Sequence, residues 1–208
     1  MRFWFLVFPL TVLLALPAWA DPHDDLVKAL RQTRVAFGSN VAFAAYLKQE
    51  EKLTSALDVA FYSQQKLSSR SLLSVRHVIR QMRTLEKAWI FRYTLGIKGI
   101  ESQNDVSFYY ADQEKVSQAF VGVDARIKLS EYLVAQDQED GNGLYATYAF
   151  DRLLRVSLDS IIRNIDVCIN RLTRSQSYRA GTKGLKVRTG GKAKALPVTG
   201  TLLFVGNR

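Results

Sequence analysis

Residues 68–95 read S-S-R-S-L-L-S-V-R-H-V-I-R-Q-M-R-T-L-E-K-A-W-I-F-R-Y-T-L. Leu72, Val75, Val78, Ile79, Met82, Trp89 and Tyr93 recur at spacings of three and four, the repeat that gathers apolar side chains on one face of a helix. Ser68 or Ser69 is placed to cap its first turn, and Gly96 and Gly99 break the pattern after Leu95. This stretch predicts a long amphipathic helix, and a helix with one apolar stripe must pack that stripe on something.

Helical spacing extends in both directions from it. Upstream, a short helix is expected near Asp24 to Ala36, stopped at Gly38. A second, capped by Ser39 or Asn40, should run to about Gln64 with Phe43, Leu47, Leu57, Ala60 and Phe61 inward. A rival reading folds Arg34 to Phe43 into a hairpin around Gly38-Ser39-Asn40. Downstream, Val106 to Ala111 suits either a short strand, on its aromatic and β-branched content, or the start of a fourth helix. That helix should run from Asp112 to about Gln136, with Val116, Phe120, Val123, Ile127 and Val134 as its stripe and Gly122 weakening its centre by about 1 kcal/mol relative to alanine. Asp137 to Gly143 (D-Q-E-D-G-N-G) reads as a turn. A last helix follows from Leu144 to about Thr173, with Leu154, Leu158, Ile161, Ile162, Ile165, Ile169 and Leu172 inward. The expected fold is an all-α, antiparallel up-and-down bundle of about four long helices.

Two segments stand apart from that body, giving an expected division into residues 1–20, 21–174 and 175–208. Arg2, the apolar run from Phe3 to Leu16 and Ala18-Trp19-Ala20 have the order of a secretory signal cut after Ala20. No later segment has the 18 or so consecutive apolar residues of a membrane span. The expected location is therefore exported, periplasmic or extracellular. One cysteine, Cys168, leaves no internal disulfide to form, so packing must hold the exported chain together. Cys168 falls on the apolar stripe of the last helix and reads as a small core residue.

At the other end, Gly181, Gly184, Gly190 and Gly191 are interleaved with bases, and Leu185 to Lys194 has the pattern of a small β-hairpin around Thr189-Gly190-Gly191. The net charge of +10 concentrates there. Residues 21–172 hold 20 Lys and Arg against 19 Asp and Glu, whereas residues 173–208 hold 8 bases and no acid. Lys183, Lys186, Arg188, Lys192 and Lys194 are the candidate contacts for an anionic partner. A second basic row, Arg76, Arg80, Arg83 and Lys87, lies along the helix quoted above; Glu50, Glu51 and Asp58 of the preceding helix are its candidate ion-pair partners.

The sequence calls for no cofactor. His23 and His77 stand 54 residues apart, and no second histidine has metal-ligand spacing. Asp137, Glu139 and Asp140 fail the calcium-loop pattern, because Gly141, Asn142 and Tyr148 occupy positions 5, 6 and 12. Leu196-Pro197-Val198-Thr199-Gly200 resembles the L-P-x-T-G sorting signal of wall-anchored surface proteins, a resemblance that implies sortase attachment. Only Thr201 to Gly206 stands where that family has a membrane-spanning run. Glu101-Ser102 resembles the Glu-Ser of lytic transglycosylases, which implies Glu101 as general acid, but no G-L-M-Q-like segment follows.

The functional expectation is a non-catalytic structural, assembly or adaptor component of the cell envelope, for example of a secretion or DNA-transfer machine. Its partner would be an envelope protein or an anionic polymer or lipid; export and the scarcity of aromatics among the tail bases disfavour nucleic acid outside a DNA-transfer machine. The alternatives are an envelope-polymer enzyme of lytic transglycosylase type and a wall-anchored surface protein.

Overall fold

A computed structural model describes residues 21–39, 41–63, 67–98 and 104–184, with side chains described as far as residue 174. Helix α1 spans Pro22–Gly38, α2 Phe43–Tyr62 and α3 Ser69–Thr94. The chain then forms strand β1 (Val106–Tyr109), helix α4 (Tyr110–Val123), a 3-10 turn (Leu129–Tyr132), strands β2 (Leu133–Asp140) and β3 (Gly143–Tyr148), and helix α5 (Phe150–Gly184). The fold is mostly helical, with a small antiparallel sheet in the order β1-β3-β2.

The first half follows its local signals. Asp21 caps α1, its Oδ1 accepting the His23 amide at 2.9 Å, with Pro22 at the start of the helix where a missing N–H costs nothing. Because α1 runs through Gly38, the hairpin reading of Arg34 to Phe43 does not hold. Helix α2 begins after Ala42 with no side-chain cap, so Ser39 does not serve it, and Asn40, the other expected cap, lies outside the described residues. Ser68 caps α3 by accepting the Ser71 amide at 3.1 Å. The stripe of α3 is buried from Val75 to Trp89, while Tyr93, on the same predicted stripe, is 61% exposed.

The core has two aromatic nodes. In the first, Phe37 of α1 stacks on Tyr46 of α2 at 5.1 Å, and Tyr46 meets Trp89 of α3 at 5.5 Å. The Tyr46 hydroxyl donates to the Met82 carbonyl at 2.6 Å, satisfying a polar tip in an apolar setting. Burial, with Glu50 and Glu86 nearby, pushes that phenol far above its ordinary range. In the second node, Phe150 at the head of α5 meets Phe108 of β1 at 6.0 Å and Phe120 of α4 at 5.6 Å.

The second half departs from a bundle of four long helices. The expected helix from Asp112 to Gln136 ends at Val123, and Val134 sits on a strand, 57% exposed. The expected turn at Asp137 to Gly143 is the end of a hairpin, and Leu144 to Tyr148 is its second strand rather than the start of the last helix. The reason is local. Asp140 Oδ1 accepts the Asn142 amide at 2.8 Å, and Gly143 takes φ +140°, a backbone that favours glycine. Side chains also reach across the fold to hold the hairpin: the Tyr109 hydroxyl donates to Asp140 at 2.9 Å, and the Tyr110 hydroxyl accepts the Asp137 amide at 3.0 Å where the chain has φ +54°. Across the strands, Ser107 Oγ and Thr147 Oγ1 lie 2.8 Å apart.

Gly122 sits in the last turn of α4, and a Cβ there would meet Thr84 Cγ2 at 2.9 Å. Its role is close approach to α3, which offsets its poor helix propensity. At the other end, α5 runs ten residues beyond the boundary at 174 read from composition. It packs on α1 and α3, and the ion pair of Arg34 Nε with Asp166 Oδ1 at 2.5 Å joins α1 to it.

Candidate functional site

The predicted basic row on α3 is divided by the fold. Arg76 turns towards α2 and lies over the Phe61 ring at 5.0 Å. Phe61, expected inward, is 47% exposed beneath it. Arg83 also turns to α2 and pairs with Glu50 at 3.0 Å, one of the acids singled out from the sequence. Glu50, Glu51, Asp58 and Glu86 line the open groove between α2 and α3. There the Glu86 carboxyl is raised, first by burial and then by Glu50 beside it. Arg80 is exposed. The acids of this side thus take up part of the row.

The face of α3 turned to α5 has a different character. An open groove of about 460 Å³ is lined on α3 by Arg70, Leu73, Ser74 and His77, and on α5 by Val167, Cys168 and Arg171. The Arg171 guanidinium donates to Ser74 Oγ across it. At one end, Asn164 Nδ2 donates to Gln81 Oε1 at 2.8 Å, and Gln81 Nε2 donates to the Val123 carbonyl at 2.5 Å. This chain of amides ties α5, α3 and α4 together beside the groove. No acid lines it. Arg70 and Arg171 were not singled out from the sequence, and His77 was weighed there only as a metal ligand. The signal was available in the spacing 70, 74, 77 on α3 and 164, 167, 168, 171 on α5, but only the crossing of the two helices brings those runs together.

Cys168 lies in the wall of this groove yet is 2% exposed. Burial pushes its thiol up to about 11, against the lowering effect of Arg171. A reactive thiol needs the opposite, a lowered pKa and access. An aromatic disulfide reagent at pH 8 should therefore label Cys168 only at the rate at which the protein opens. Labelling within seconds of mixing, without denaturant, would contradict the core assignment.

Elsewhere, Asp137 and Asp140 serve the hairpin through Tyr109, Tyr110 and Asn142. Among the described residues, no group of three His, Cys, Asp or Glu side chains is placed to hold a metal ion. His23 is buried at the start of α1, while His77 is exposed on α3. Lys183 falls in the last turn of α5, where only backbone is described. Lys186, Arg188, Lys192, Lys194, the L-P-V-T-G segment, Glu101-Ser102 and the signal-like residues 1–20 lie outside the described residues. None of the described helices is long and apolar enough to cross a membrane.

Comparison with known proteins finds no matching family, no matching curated protein and no matching solved structure.

Proposed function

We propose that this chain is an exported, non-catalytic component of the cell envelope, an assembly or adaptor protein whose basic C-terminal end contacts an anionic or protein partner. The observation that carries the reading is the separation of charge along the chain, with 8 bases and no acid after residue 172 beside a near-neutral body. The signal-like N-terminus supports export, and the packed helical core supports a rigid body that needs no disulfide. Helix α5 makes that body and the basic end continuous.

The test begins with the protein isolated after export, whose intact mass should place its first residue at Asp21. That protein and a form lacking residues 185–208 are then sedimented with a washed envelope fraction at several salt concentrations. The deletion leaves α5 whole, so helical circular dichroism should stay the same. Bound protein should fall about tenfold or more on deletion, and the salt dependence of binding should flatten with it. Equal sedimentation of the two forms would overturn the role given to the tail.

A further inference from the structure

Charge is separated in the folded body as well as along the chain. Residues 69–85, the first two thirds of α3, contain Arg70, Arg76, Arg80 and Arg83 and no acid. Residues 167–184, the last half of α5, contain Arg171, Arg174, Arg179 and Lys183 and no acid. These helices pack against each other. Arg76 and Arg83 are drawn to α2, whereas the groove between α3 and α5 is lined by Arg70 on one wall and Arg171 on the other.

The same groove exposes aliphatic surface. Leu73 is 63% exposed and Val167 43% exposed, one on each wall of the groove that Arg70 and Arg171 also line. An isolated exposed leucine needs no explanation. Two aliphatic side chains framed by arginines, in a groove without an acid, match the two layers of a lipid interface. Guanidinium groups take phosphate oxygens in bidentate fashion, and short apolar side chains enter the boundary between headgroup and acyl chain.

We infer that the α3–α5 groove is a docking face for an anionic phospholipid surface, Arg70 and Arg171 taking headgroup phosphates while Leu73 and Val167 enter the apolar boundary. The inference rests on the proposed contact with an anionic envelope partner and gives that partner its chemistry. Binding of this kind is peripheral and reversible, each basic residue near a charged surface adding to the attraction. The tail bases, which follow α5 in the sequence, would add to the attraction without being needed to orient it.

The experiment uses the exported protein and sedimentation with vesicles of phosphatidylcholine alone or with about one third phosphatidylglycerol. The wild type should bind the charged vesicles and leave the neutral ones in solution. R70Q/R171Q should weaken binding at least about tenfold, and R70K/R171K should fall between that and the wild type, since the charge remains but the bidentate fork is lost. L73Q/V167Q should also weaken binding several-fold, with all cations intact. A chain lacking residues 185–208 should bind less well yet still respond to R70Q/R171Q. Should the glutamine pair bind like wild type while the tail deletion loses binding, the groove is overturned and the tail reading stands. Sensitivity to the arginines without sensitivity to Leu73 and Val167 would also overturn it, because a free phosphate would then satisfy the site. Indifference of the wild type to phosphatidylglycerol would do the same.

Discussion

Replacing Phe150 with alanine should cost about 3–5 kcal/mol of folding stability, the range for truncating a buried aromatic ring. A domain of this size has roughly 5–15 kcal/mol in total, so the variant would stand near the edge of folding. Phe150 is fully buried at the head of α5, between Phe108 of β1 and Phe120 of α4. Arg92 of α3 lies over the same ring at 5.8 Å and pairs with Asp151 at 2.8 Å. One side chain therefore joins the sheet, α3, α4 and α5. Urea unfolding followed by tyrosine fluorescence and by helical circular dichroism should show the loss, with Tyr93→Ala, at an exposed position, within about 0.5 kcal/mol of wild type as the control. A loss under about 1 kcal/mol at Phe150 would mean that the sheet is held by other contacts.

The second large effect is expected at Asp124, the residue following α4. Its carboxylate accepts the Arg126 amide and Nε at 3.0 Å each, Arg126 Nη2 at 2.7 Å and Ser160 Oγ of α5 at 2.8 Å. Arg163 of α5 stands 3.6 Å away. The hydrogen bond from Arg126 is the largest influence holding this carboxyl well below the usual range; burial acts against it, and the Arg126 amide and Ser160 add to the lowering. Because the folded pKa is depressed, the stabilisation is complete above the unfolded value, about 3.9. It is lost as pH falls below that value towards the folded one. Both arginines are more than half exposed, so solvent screens their share. Asp124→Ala should cost about 2 kcal/mol at pH 7, mainly by stranding the buried Ser160 hydroxyl and cutting the α4–α5 tie. The gap between variant and wild type should narrow as pH is lowered from 4 to 2. A gap that stays constant across that range would show that the ionised carboxylate is not what the fold uses.

What could be read from the sequence depended on whether a segment faces one environment or two. Helix α3 has a buried side and a wet side along most of its length, so Val75, Val78, Ile79 and Met82 state its period and Ser68 states its start. Strand β2 has no buried side: Leu133 and Val134 are both exposed, as are Gln136, Asp137 and Glu139. No alternation of polar and apolar residues can arise on a ribbon that is wet on both faces. The stripe of α4 therefore appeared to continue through Ile127, which is buried after the helix has ended. The turn itself was legible, since Asp140-Gly141 and Asn142-Gly143 are hairpin dipeptides, but helices assumed on both sides gave it the wrong partners. The groove was hidden for another reason. Arg70 and Arg171 are 101 positions apart, and no local pattern relates them. The row that was visible, Arg76, Arg80 and Arg83, sits on a side where Glu50 and Phe61 engage two of its members.

Helix α1 and helix α5 are sequence neighbours of nothing in common, yet Arg34 and Asp166 meet across 132 positions. A growing chain can pair α1 with α2 early, but the other face of α1 stays uncovered until almost the whole chain has emerged. Folding of such a chain closes at its end, and the long loop this implies slows the closing step. For a protein passed outward through a narrow channel in extended form, that order is an advantage. Under the export proposed above, the chain would remain threadable while its last helix is still behind the membrane, and would lock only once Asp166 has arrived.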